Sequence, residues 1–575
     1  MIKSSDLLNK YFGFYDGEDS RNNVVSLLRN NTAKNPDKIM LMWADPLTRS
    51  RLGDEISESI LHLGITFKQF YELTMRTASG LLKAGVGRGD CVILFLPMSF
   101  ELYQAMSAVM AIGARAVFLD SWARREHLGV SAKVVNPKAM ISFEQAFEFC
   151  EGVPELSEIP VKIVVGPHKR SYSASLEKLQ QSQMLDEICA VEGEETALIT
   201  FTTGSSGTPK GANRTHRFLV SQHLALDSSI PYKVSDVDLP AFPIFSLNNI
   251  AAGVQTVIPV TDIGRPGDKD PVMLVSQIIS CSITCATLSP SMVEGIGRFC
   301  EENMITMPKV RRVVTGGAPI SNDTLARFKK CVPNAKVWVL YGSTEVEPIA
   351  HIEASDILFP GSQGVSKGEG VNVGKIAEGL QYKLIKIVKA PVSIDNKGWS
   401  DLTAANGEVG ELIVSGLHVC RSYYKNEEAD RKTKIIEPDG TVWHRTGDLA
   451  YFDQEENLWL VGRVHNAILR NGELLFPVKA EFLMKKNPDV KQAAYIGIPD
   501  EKLGEKAYAL ISLTDNPKSS CEEILKEVSC ALKNENVVFD YLGIVESIPM
   551  DPRHHSKVEY EVLRQQILKT DDIKL

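Results

Sequence analysis

No run of apolar residues in this chain approaches the ~18–20 that a membrane-spanning helix needs. The longest candidate, Cys91 to Met98, has the length of a strand. The amino terminus, Met1-Ile2-Lys3-Ser4-Ser5, lacks the apolar core and small-residue cleavage site of a secretory leader. A cytoplasmic protein with no integral membrane segment is therefore expected. There is no basic excess either: the formal net charge is −9 with dispersed signs, which removes the electrostatic footprint of a nucleic-acid binder. The ten cysteines show no close metal-ligand pairing. Cys281 and Cys285 lie four apart with no matching Cys/His pair beside them, so buried or idle thiols are expected. Short-period repeats and low-complexity linkers are also missing.

What is present reads as a large folded enzyme-sized chain. Its 575 residues exceed what one hydrophobic core serves, so two or more domains are expected. From Thr66 a helical pattern runs through Phe67, Phe70, Leu73 and Leu81 and ends near Gly85. Cys91 to Leu96 follows as an unbroken apolar run, the mark of a strand covered on both faces. A second helical stretch, Phe100 to Ile112, stops at Gly113, and Ala116 to Leu119 is another buried-strand run. Strand, helix, strand within about thirty residues is the βαβ unit of a parallel sheet. Further strands are predicted at Lys162 to Val165, Ala197 to Thr202 and Val337 to Leu340. Near the end, strands around Gln492–Ile498 and Ala507–Leu513 alternate with helices near Glu522–Leu532 and Tyr560–Leu568. The predicted fold class is α/β: a large amino-terminal, multi-layered domain with parallel sheets over residues 1–462. A small, hinged α+β domain over residues 463–575 follows it.

The most informative segment is Thr202-Thr203-Gly204-Ser205-Ser206-Gly207-Thr208-Pro209-Lys210-Gly211. Glycines let backbone N–H groups approach phosphate oxygens, hydroxyls donate further bonds, and Lys210 adds positive charge. It is not a P-loop, because Pro209 stands where that spacing needs another residue. The full string, from Phe201 to Gly211, resembles the phosphate-binding loop of the adenylate-forming superfamily: acyl-CoA synthetases, peptide-synthetase adenylation domains and luciferases. Four further segments resemble family signatures in the right order. Gly316-Gly317-Ala318-Pro319 is similar to the turn lying along adenine. Tyr341-Gly342-Ser343-Thr344-Glu345 is similar to a segment whose tyrosine packs on adenine, whose threonine reaches phosphate and whose glutamate holds magnesium. His444-Arg445-Thr446-Gly447-Asp448 is similar to one whose aspartate binds the ribose hydroxyls. Gly462-Arg463 is similar to the pair that opens the hinge, its arginine also reaching the nucleotide. Taken singly, Asp448 reads as a turn cap and Glu345 as a surface charge; the ordered set overrides both readings.

The resemblance implies ATP and Mg2+ as cofactors and a carboxylic acid as substrate. The acid would join AMP with release of pyrophosphate. Lys210 and magnesium would reduce the repulsion between the attacking carboxylate and the α-phosphate. Magnesium takes few protein carboxylates, so a lone Glu345 suffices. Lys557, in the terminal segment Pro549 to Val558, aligns with the lysine that swings in to promote adenylation. His465 aligns with the hinge about which the small domain turns between half-reactions, where the family usually has aspartate or lysine.

The acid and the acceptor are less sharply written. Many acyl-CoA synthetases carry Pro-Leu-Phe-His at the acyl and thiol entrance, and this chain reads Pro243-Ile244-Phe245-Ser246. Asp238 to Pro243 and the ending Asp551 to Lys557 are similar to olefin-biosynthesis β-lactone synthetases, which close a long β-hydroxy acid on its own hydroxyl. Arg470-Asn471-Gly472-Glu473 and Pro477 look more like an ordinary CoA ligase, where the loop at Gly472 borders the pantetheine tunnel. The expected order is a fatty-acyl or related lipid-acid CoA ligase first, with coenzyme A as co-substrate. A β-lactone synthetase comes second, then an acyl-AMP ligase loading a carrier protein. A catalytically dead scaffold is the contrasting class, and retention of Lys210, Glu345, Asp448 and Lys557 argues against it.

Overall fold

The computed structural model describes residues 17–45, 56–119, 125–203, 209–260, 270–358, 370–394, 398–405, 407–550 and 558–569. Its first layers realise the alternation of strand and helix. Thr66 caps the helix Phe67–Lys83 through a reciprocal box with Gln69, and the helix buries Phe67, Phe70, Met75 and Leu81. The strand Cys91–Phe95 and the helix Phe100–Ala111 follow, and the helix lies almost wholly inside the protein. The seven-stranded sheet built around them runs, in spatial order, Ala174–Ser175, Val161–Val165, Ala139–Phe143, Cys91–Phe95, Arg115–Phe118, Thr196–Thr203 and Pro209–Thr215. All neighbours are parallel except the last pair, which form a hairpin.

A second, fourteen-stranded sheet changes character along its width. Val237–Pro240, Cys285–Leu288, Arg312–Gly316 and Lys336–Ser343 are parallel neighbours. From Lys336–Ser343 onward the pairing turns antiparallel, through Val346–Glu353, Val371–Ile376, Leu458–Arg463, Val442–Phe452 and Gly410–Ser415 to Gln381–Ile385. This antiparallel half answers to nothing in the sequence reading, which expected parallel sheets. An ion pair is buried within it: Arg445 Nη2 lies 2.5 Å from Glu411 Oε2, with side-chain exposures of 7% and 2%.

From Ile468 the chain builds a separate five-stranded sheet: Ile468–Arg470, Glu473–Leu475, Val490–Asp500, Gly504–Leu513 and Tyr541–Ile544. The helices Pro477–Met484 and Cys521–Asn534 close one face over Leu483, Tyr495, Ile511, Ile524 and Val528. Leu563 of the helix Tyr560–Lys569 packs with Ile496 and Ile548 on a second cluster. No helix among the described residues is long and apolar enough to cross a membrane.

Candidate functional site

Three strand ends converge where an open α/β sheet takes its ligand, at the carboxyl ends of parallel strands. Thr196–Thr203 delivers Thr202 and Thr203, and the hairpin returns through Lys210, with Thr202 opposite Lys210 and Thr203 opposite Pro209. The predicted phosphate-loop residues Gly204, Ser205, Ser206 and Gly207 lie outside the described residues, as does Lys557. Gly211 is needed where it stands, because a Cβ there would come within 2.9 Å of the Ile199 side chain. Lys210 and Arg214 fall on one face of the returning strand by its period of two.

The second strand end, Arg312–Gly316, meets Lys336–Ser343 with Gly316 opposite Leu340. A Cβ on Gly316 would lie 2.3 Å from the Leu340 carbonyl oxygen, so no other residue permits this approach. Gly317 then turns with φ of +84°. Gly316, Gly317 and Ala318 thus follow directly alongside Tyr341.

The turn from Tyr341 to Glu345 is pinned from several sides. The buried guanidinium of Arg214 donates twice to the Thr344 carbonyl, from Nη2 at 2.8 Å and Nε at 3.2 Å. Ser343 Oγ accepts the Glu345 N–H at 3.2 Å, and the Cys420 N–H reaches the Glu345 carbonyl at 2.7 Å. Gly342 leaves room for the strand that follows, since a Cβ would meet the Val346 carbonyl oxygen at 3.0 Å. The Tyr423 hydroxyl donates to Glu345 Oε1 at 2.6 Å. Burial works to raise the Glu345 pKa, but the His444 ring, the Tyr423 hydroxyl and the Lys434 ammonium outweigh it and hold the carboxyl at about 2. The result is an ionised carboxylate with one oxygen committed to Tyr423 and lone pairs left for a hard cation. The Lys210 ammonium lies 5.9 Å from the centre of the same Tyr423 ring, so one tyrosine links the two catalytic candidates.

Asp448 and Arg463 meet across neighbouring antiparallel strands. Arg463 Nε lies 2.8 Å from Asp448 Oδ1, and the Tyr341 hydroxyl donates to Oδ2 at 2.6 Å. Arg463 Nη2 also reaches the Thr446 carbonyl at 3.1 Å. Burial and the Asp448 charge push the Tyr341 phenol well above its ordinary range, so it stays a donor at neutral pH. The structure therefore joins Tyr341, Asp448 and Arg463 in one cluster, and Lys210, Tyr423 and Glu345 in another. The Tyr341–Glu345 turn connects them.

Ser246 sits on the helix Pro243–Ala252, fully buried. Its hydroxyl and that of Tyr103 are both buried, and Ser246 acts as the hydrogen-bonding neighbour of the Tyr103 phenol. Asn471 and Gly472 form the two-residue turn between Ile468–Arg470 and Glu473–Leu475, with φ of +51° and +81°. Both are exposed, and positive φ at each is the signature of a tight hairpin. His465 lies in the short turn Val464–Asn466, between the large sheet and the separate five-stranded one. Sequence reasoning missed Tyr423, Arg214 and Lys434. Arg214 was detectable as the same-face neighbour of Lys210, whereas Tyr423 and Lys434 carry no local signal. It also found no histidine beside Cys281, yet His62 Nδ1 lies 3.4 Å from that thiol, contributed from 219 residues away.

A family model for AMP-binding enzymes matches residues 28–424. The chain belongs to the AMP-binding enzyme family. It is 27% identical over 552 residues to the olefin β-lactone synthetase of Stenotrophomonas maltophilia, covering 94% of this chain and 97% of that protein. It is 25% identical to 4-coumarate–CoA ligase 3 of Oryza sativa subsp. japonica over 85% of each chain. Its fold is also that of the o-succinylbenzoate coenzyme A synthetase of Bacillus subtilis solved with ATP and magnesium ion. There the TM-score is 0.72 at 19% identity, over 94% of this chain and 99% of that one.

Proposed function

We propose that this enzyme adenylates a long-chain β-hydroxy acid and then closes it to a β-lactone. The observation that carries the choice is the near full-length likeness to an olefin β-lactone synthetase, 27% identical over 94% of this chain and 97% of that protein.

In the first step a carboxylate oxygen of the acid forms a bond to the α-phosphorus of ATP, and the bond to pyrophosphate breaks. Lys210 would stand by the phosphates and neutralise the charge gathering there. Glu345, ionised and aimed by Tyr423, fits a magnesium ligand; the ion, when bound, would supply Lewis-acid polarisation of phosphate oxygens. Thr202, Thr203 and Thr344, with the loop between the strands, would donate to phosphate. Gly316 to Ala318 and the Tyr341 ring would flank adenine, and Asp448, steadied by Arg463, would accept from the ribose hydroxyls. Lys557, on a mobile domain hinged at His465, would contact the carboxylate in this step. In the second step the substrate hydroxyl oxygen attacks the acyl carbon, the bond to AMP breaks, and the hydroxyl proton leaves to solvent. The ring forms with no thiol.

A second reading, transfer to coenzyme A, is favoured by the exposed Asn471–Gly472 turn, free at the surface to border a pantetheine arm. Product identification separates the two. Purified protein would be incubated with ATP, magnesium and fatty or β-hydroxy acids, with and without coenzyme A. Lactone forming without the thiol is the expected result. Acyl-CoA forming only with it would overturn the lactone reading and install the second.

A further inference from the structure

Behind the Glu345 carboxylate lies a second ammonium, to which the adenylation chemistry above gives no role. Lys434 begins the strand Lys434–Ile436, opposite His444 in the register, and is 5% exposed. A buried charge requires partners, and this one has them. Nζ donates to the Cys420 carbonyl at 2.5 Å and to His444 Nδ1 at 3.1 Å. Its charge lies 5.2 Å from the centre of the Tyr423 ring, within cation–π range.

These contacts lead to one place. Cys420, whose carbonyl Lys434 holds, gives its own N–H to the Glu345 carbonyl at 2.7 Å. Tyr423, whose ring Lys434 faces, gives its hydroxyl to Glu345 Oε1 at 2.6 Å. Lys434 therefore supports Glu345 twice, through main chain and through side chain, without touching it. His444 completes the arrangement by accepting from the same ammonium through Nδ1. An apolar residue at 434 would fill the space but would leave the Cys420 carbonyl, the His444 nitrogen and the Tyr423 face without their cation.

We propose that Lys434 is a positioning residue for magnesium–nucleotide binding, holding Cys420 and Tyr423 so that the Glu345 carboxylate keeps its aim. The inference rests on the proposed role of Glu345 as the magnesium ligand. It does not depend on which acid is activated.

The test needs no acid. Binding of α,β-methylene-ATP to the full chain would be measured by calorimetry with magnesium chloride and with EDTA. The ratio of the two dissociation constants reports the magnesium-dependent part alone. Lys434→Met should cut this ratio by about tenfold while the EDTA value moves less than about twofold. Tyr423→Phe should also cut it, and adding Lys434→Met to that background should cost less than about twofold more, since both act through one carboxylate. Should Lys434→Met fail to fold, His444→Phe, which removes the acceptor of the ammonium, takes its place in the same cycle. Losses that multiply independently in the double variant, or an unchanged ratio in Lys434→Met, would overturn the inference. Glu345→Gln is the control: it should collapse the ratio. A ratio untouched by Glu345→Gln would refute the assignment of Glu345 itself, and the inference with it.

Discussion

Tyr341→Phe removes one hydroxyl and keeps the ring, which makes it the cleanest probe of the ribose contact proposed for Asp448. The hydroxyl donates to Asp448 Oδ2 at 2.6 Å while Arg463 Nε lies 2.8 Å from Oδ1. A carboxylate offers about four lone-pair sites, so one on each oxygen remains, matching two adjacent ribose hydroxyls. Without the tyrosine the carboxylate is tethered from one side and can rotate away from that alignment. A hydrogen bond to a charged acceptor contributes about 1.5–3 kcal/mol. At about 1.4 kcal/mol per decade, AMP affinity should fall on the order of 10- to 100-fold. Calorimetry with AMP and with 2′,3′-dideoxy-AMP separates aim from stacking. The variant should lose affinity for AMP and very little for the dideoxy compound. Equal losses for both, or no loss for AMP, would refute the reasoning.

Three further outcomes are expected. Gly316→Ala places a Cβ 2.3 Å from the Leu340 carbonyl oxygen, so the strand carrying Tyr341 must shift; AMP binding should be lost while the separate carboxyl-terminal sheet still melts normally. Arg445→Met leaves the Glu411 carboxylate buried without its partner, at a cost of about 3–5 kcal/mol in the first urea transition, and Glu411→Leu in addition should recover part of it. Glu481 accepts from the Tyr560 hydroxyl at 2.7 Å, and burial raises its pKa from 4.5 to about 7. A carboxyl that holds its proton more tightly when folded stabilises the fold at low pH and loses that contribution as pH rises from 4.5 through 7. Thermal melts of the carboxyl-terminal unit should therefore fall across that window, and Glu481→Gln, which keeps the acceptor, should flatten the slope.

Much of the fold was legible because its strands are covered on both faces. Cys91–Phe95 reads as an unbroken apolar run for that reason, and the helix Phe67–Lys83 announces itself through Thr66, Gln69 and its apolar stripe. The antiparallel half was not legible. Gln381–Ile385 is half-exposed, and Val371–Ile376 is interrupted by Gly374 at φ +79° where the register shifts, so neither shows a clean period. Among site residues, Lys210, Glu345, Asp448 and Arg463 stand in strings whose chemistry is local. Tyr423 and Arg214 act on Glu345 and Thr344 from 78 and 130 residues away, a distance no local pattern spans. The acceptor is not written in any local string: Ser246 stands where many acyl-CoA synthetases carry histidine, and the chain is similar both to a β-lactone synthetase and to a CoA ligase.

The proposed reaction activates a carboxylate on AMP and captures it with the substrate's own hydroxyl. Supplying a β-hydroxy acid labelled with 18O in both carboxyl oxygens tests it directly, read by mass spectrometry of AMP and product without coenzyme A. One label in AMP and one in the lactone carbonyl, with the ring oxygen unlabelled, is the expected result. Unlabelled AMP, or a product retaining both labels, would contradict it.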